Sequence, residues 1–178
     1  PISAVLLAMT AVLFIALVVE FSACRDHWLS LRWMTAAAAD LTVLLTTMFL
    51  TMSAKPPEWA PSPQLVLAGQ IALLTIYLAS TVDRTILRGL CITGFEMGQA
   101  AVAFAVSIGG AFYLAQAANT GSTILGLFCM LGGMACYLVS FAFLERRQSQ
   151  GRNFHTYSTF AILLTSAGFL TLLDGATL

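Results

Sequence analysis

Residues 83–112 read DRTILRGLCITGFEMGQAAVAFAVSIGGAF. An acid and two arginines (Asp83, Arg84, Arg88) open the stretch. From Gly89 onward it stays apolar for longer than the ~20 residues a helix needs to cross a hydrocarbon core of roughly 30 Å. Within the apolar run stand an acid, Glu96, and an amide, Gln99, followed by Ala100, Ala101, Ala103, Ser107, Gly109 and Gly110. Counted from the arginines, Glu96 lies about 12 Å along such a helix, toward the middle of the core. A lipid-buried helix with an acid and small residues on one face must turn that face toward other helices.

The rest of the chain has the same character. Of 178 residues, 59% are hydrophobic and 9% charged, whereas soluble domains carry about 25% charged residues. Too few charges are present to cover a water-facing surface, and the mean hydropathy is +0.89. The formal net charge is zero, and no basic stripe suited to phosphates exists, so nucleic acid is not an expected partner. Apolar run lengths predict six spans, at about 2–21, 33–52, 64–81, 89–115, 123–144 and 156–173. Long apolar runs suit helices, because barrel strands would alternate. The expected fold is therefore an all-α integral membrane protein: one transmembrane domain over 1–178, a bundle of about six helices with short loops. The chain starts at Pro1, as a segment of a longer protein or a processed end would. Its first apolar run lacks the basic flank and cleavage site of a signal peptide.

Charge orients the bundle. The first, third and fifth turns hold Arg25, Arg32, Arg84, Arg88, Arg146, Arg147 and Arg152; the second holds Lys55 alone, among prolines and Trp59, and the fourth holds none. By the positive-inside rule the arginine side is cytoplasmic and both ends face the exterior, the periplasm if the membrane is a bacterial inner membrane. The turns CRDHWLSLRW, DRTILRGL and ERRQSQGRNF resemble one another, and an acid follows the second arginine by eight residues in two of them (Arg32 to Asp40, Arg88 to Glu96). Three related helical hairpins would produce this pattern, as would the shared need for arginines at such turns.

Asp40 and Glu96 are the sharpest chemical features. An ionised acid at the bilayer centre costs at least ~2.5 kcal/mol, so these groups should find partners in the bundle or stay protonated. With Gln99 they define a candidate proton or cation site; interhelical hydrogen bonding is the alternative role. Arg84, Arg88, Arg146, Arg147 and Arg152 form a basic face suited to lipid head groups, a partner's acidic loop, or topology alone. Gly109 and Gly110, with Gly126, Gly132 and Gly133, are candidate packing surfaces for a neighbouring helix; a flat pigment or quinone, or a lipid, would also fit such surfaces. No cofactor is predicted. His27 and His155 fall at turns and make a poor metal or haem pair. Cys24, Cys91, Cys129 and Cys136 lack metal-site spacing. No hydrolase elbow, zinc-protease helix, Walker loop or dinucleotide fingerprint occurs, so an enzyme is not expected.

Three functions suit these features: a non-enzymatic membrane subunit packing helices, lipids or cofactors within a larger assembly, or by self-association; a small proton- or cation-linked transporter using Asp40 and Glu96; and the membrane-sensor module of a longer signalling protein. The orientation has a direct check. A reporter fused after Leu178 should behave as exterior: active for alkaline phosphatase, dark for a fluorescent protein that folds only in the cytoplasm.

Overall fold

The computed structural model describes residues 4–23, 29–52, 60–118, 122–144 and 151–176. Arg25, His27, Lys55, Trp59, Arg146 and Arg147 lie outside these residues. Six helices form: α1 (Ala4–Ala23), α2 (Leu29–Met52), α3 (Pro63–Val82), α4 (Gly94–Ala118), α5 (Ser122–Val139) and α6 (Gly151–Ala176). All six runs are long and apolar enough to span a membrane, and large apolar side chains such as Phe14, Trp33 and Ile124 remain exposed, as lipid-facing residues do. The protein is the all-helical membrane protein that its composition predicts.

Helix ends depart from run length where local chemistry intervenes. Pro63 opens α3 behind Ser62, a position where its missing N–H has no intrahelical partner to lose. A π-helical turn, Asp83–Leu87, extends α3. Gly89 then adopts φ 65°, a left-handed conformation that glycine alone takes without strain. The Leu90 N–H reaches back to the Arg84 carbonyl at 3.0 Å, closing the helix end much as a Schellman bond does. The chain stays irregular to Thr93, so α4 begins at Gly94 rather than near 89. Glu96 consequently sits in the first turn of α4, not deep along it. At the other end of the chain α6 begins at Gly151, several residues ahead of the apolar run.

Two compact units result. The first holds α1 to α4. Its core joins Met9, Leu13 and Ala16 of α1, Ala36, Ala39 and Val43 of α2, Leu73 and Tyr77 of α3, and Ala103 of α4. The alanines let the backbones approach closely. Gly110 on α4 is needed for a similar reason: a Cβ there would press on the Gln70 side-chain amide and come within 3.3 Å of Thr47. Gly109 is exposed, and a Cβ at that position meets no heavy atom within 4 Å of this chain.

The second unit comprises Arg84–Thr93 with α5 and α6. The two helices pair as an antiparallel hairpin with their backbones in near contact. A Cβ on Gly168 would lie 2.7 Å from the Gly126 carbonyl and 2.9 Å from the Met130 nitrogen, and Gly133 rests against Ala161 and Thr165. Gly132 faces Leu164 at 3.3 Å.

Buried backbone outside a helix must have its polar groups satisfied, and α6 does this for Leu90–Ile92. The fully buried Asn153 accepts from the Ile92 N–H at 2.7 Å and donates to the Leu90 carbonyl at 3.0 Å. Arg152 donates to the Ile92 carbonyl at 3.2 Å, and Arg84 to that of Cys91 at 3.2 Å. Thr85 and Tyr157 share a hydroxyl bond of 2.8 Å. Asn153→Ala should therefore destabilise the protein by about 1–3 kcal/mol, the cost of stranding a buried amide. Unfolding in detergent measured beside Gly109→Ala, expected to be near neutral, tests this.

Candidate functional site

The interior of the first unit is built around Arg32. Three residues into α2, this guanidinium is only 8% exposed, and a charge so placed needs partners. It has two acids and an aromatic ring. Arg32 Nη2 donates to Glu20 Oε2 on α1 at 2.8 Å, and Nε donates to Oε1 at 3.4 Å. Toward α4, Nη1 and Nη2 reach Glu96 Oε1 at 3.4 and 3.5 Å. The Phe95 ring lies 5.3 Å from the guanidinium carbon, within cation–π range. Glu20 and Glu96 are 4 and 5% exposed. Ser80 on α3 donates to Glu20 Oε2 at 2.9 Å, so all four helices contribute. The first-turn position of Glu96 also sets its carboxylate against the positive end of the α4 dipole.

These groups line a small cavity completed by Tyr77, Thr81 and Gln99. Its formal charges are two carboxylates against one guanidinium. The two contacts are unequal: Arg32 commits its short bond to Glu20 and holds Glu96 more loosely.

Further polar groups continue along the interior. Eight residues on from Arg32, about 12 Å along α2, Asp40 Oδ2 accepts from Gln99 Nε2 at 2.8 Å. A further seven residues, about 10 Å, bring Thr47, whose hydroxyl accepts from Gln70 Nε2 at 2.8 Å and donates to the Val43 carbonyl at 2.8 Å. Ser107 is buried on α4, one turn before Gly110.

Of the residues singled out from sequence, Asp40, Glu96 and Gln99 all face this interior. Asp40 pairs with Gln99, and Glu96 pairs with Arg32. Arg84 and Arg152 instead hold the backbone of Arg84–Thr93 in the second unit, and Arg88 is exposed. Cys91, Cys129 and Cys136 form no disulfide, and no group of three metal-ligating side chains occurs among the described residues. Sequence reasoning passed over Glu20 and took Arg32 for a topology signal. One sign was visible: Glu20 is the lone charge in the apolar run 2–21.

The class that the geometry defines is an integral membrane protein with a charged interior in its first unit. Comparison with protein-family models, curated proteins and solved structures finds no match to this chain.

Removing one partner of a buried ion pair costs about 3–5 kcal/mol, whereas replacing the whole group by neutral side chains is often tolerated. Arg32→Met should thus lower stability in detergent by that amount, and the triple variant Arg32→Met/Glu20→Gln/Glu96→Gln should recover most of the loss.

Proposed function

We propose that this protein is a non-enzymatic membrane module whose first unit takes up and releases a proton or small monovalent cation, as a transporter or coupling subunit does. The observation that carries the reading is the surplus of buried carboxylate around Arg32. Charge balance alone needs one acid per guanidinium. Here Glu20 satisfies that need at 2.8 Å, while Glu96 lines the same cavity at 3.4 Å. Asp40, held by Gln99 through one oxygen, offers a second station farther along the unit. The α5–α6 hairpin, packed glycine to backbone, suits a supporting role.

Purified protein in proteoliposomes tests the reading. Proton or sodium and potassium movement, followed with ion-sensitive dyes, should be present for the native chain. It should fall at least tenfold in Glu96→Gln and Asp40→Asn, each still folded by thermal unfolding. A folded native protein that moves none of these ions, and whose substitutions alter only stability, would leave the packing subunit as the better reading.

A further inference from the structure

Among the buried polar atoms of the first unit with no hydrogen-bond partner among the described residues are Tyr77 Oη, Asp40 Oδ1, Ser107 Oγ and Gln70 Oε1. Their residues are 4, 6, 2 and 1% exposed. Polar groups buried so deeply are satisfied by protein or by bound water. They are not scattered. Tyr77 lines the Glu20–Arg32–Glu96 cavity. Asp40 carries the next group on α2. Ser107 stands one turn before Gly110, the glycine on which the Gln70 amide rests. From Arg32 to Thr47, the partner of Gln70, is fifteen residues of α2, about 22 Å of a core of roughly 30 Å.

We propose that bound water joins these four groups into a file running from the cavity past Asp40 to Ser107 and Gln70, and that the species handled is therefore the proton. The inference deepens the reading above and rests on it. Donors and acceptors alternate along the file: a phenol, a carboxylate faced by an amide N–H, a serine hydroxyl, an amide oxygen. All four open atoms are oxygens, which a hard cation also uses; what points to the proton is the pair of hydroxyls, Tyr77 and Ser107, each able to accept one proton while donating another. The titratable groups around Tyr77 and Asp40 are Glu20 from α1, Arg32 from α2 and Glu96 from α4. In the transfer each water or hydroxyl accepts one proton and donates another, so none is changed. Of these four groups only Asp40 alternates between carboxylate and carboxylic acid.

Infrared difference spectroscopy on the full chain in lipid, combined with vesicle flux, tests the inference. An acid-minus-neutral difference spectrum should show a protonated-carboxyl band that Asp40→Asn removes and that shifts in D2O within minutes. Tyr77→Phe, which deletes only the hydroxyl, and the pair Ser107→Ala/Gln70→Leu should each slow proton flux at least tenfold while thermal unfolding stays close to native. Native-like proton flux in both variants overturns the file but leaves the ion-handling module standing. Sodium or potassium flux without proton flux has the same consequence. Absence of all flux, with no Asp40 band, overturns both.

Discussion

One buried guanidinium organises the first unit. Arg32 cannot remain in an apolar interior unless anions reach it, and the anions that do belong to α1 and α4. Satisfying it also constrains α3, because Ser80 completes the Glu20 carboxylate. Lipid offers little hydrophobic force to hold helices together, so packing and polar contacts must do so. The close-set alanines Ala16, Ala36, Ala39 and Ala103 supply the packing. The Arg32 cluster supplies the register, since sliding any of the four helices by one residue would part a charge from its partner.

The second unit is held together by close backbone packing. Its helices touch where Gly126, Gly133 and Gly168 remove side chains from the seam. Its difficulty is a stretch of backbone, Leu90–Ile92, that makes no helical bonds. Asn153 resolves it by presenting a donor and an acceptor together, as a neighbouring strand would. A leucine in that place would pack well and leave the Ile92 N–H stranded.

This division explains what could be read from the chain alone. Spans are legible because hydrocarbon thickness dictates apolar length, and each of the six runs contains a helix. The break before α4 was hidden because Leu90, Cys91 and Ile92 look like helix; what lets them depart from it is an asparagine some sixty residues away. Glu96 was therefore assigned a mid-membrane depth that the first turn of α4 does not give it. Asp40, Glu96 and Gln99 stood out as polar groups in apolar runs, and all three face the interior. Their partners did not stand out. Arg32 lies so near a turn that it resembles the other arginines, and Glu20 so near a helix end that it reads as a boundary. Pairing between residues 32 and 96 is a property of tertiary structure, and no local pattern announces it.

Stability alone gives a poor account of this interior. A buried ion pair seldom outperforms well-packed apolar side chains of equal volume, and α5 and α6 demonstrate that glycine packing can hold two helices here. If α1 to α4 needed only to cohere, Leu and Ala would serve. The unit instead buries Glu20 and Glu96 against Arg32, buries Asp40 farther along α2, and leaves Tyr77, Ser107 and Gln70 with hydrogen-bonding capacity that the described residues do not use. Each such group costs free energy, and together they extend along most of the depth of the core. An arrangement that is expensive as a clamp is what the proposed proton route would require: polar stations at intervals that water can bridge.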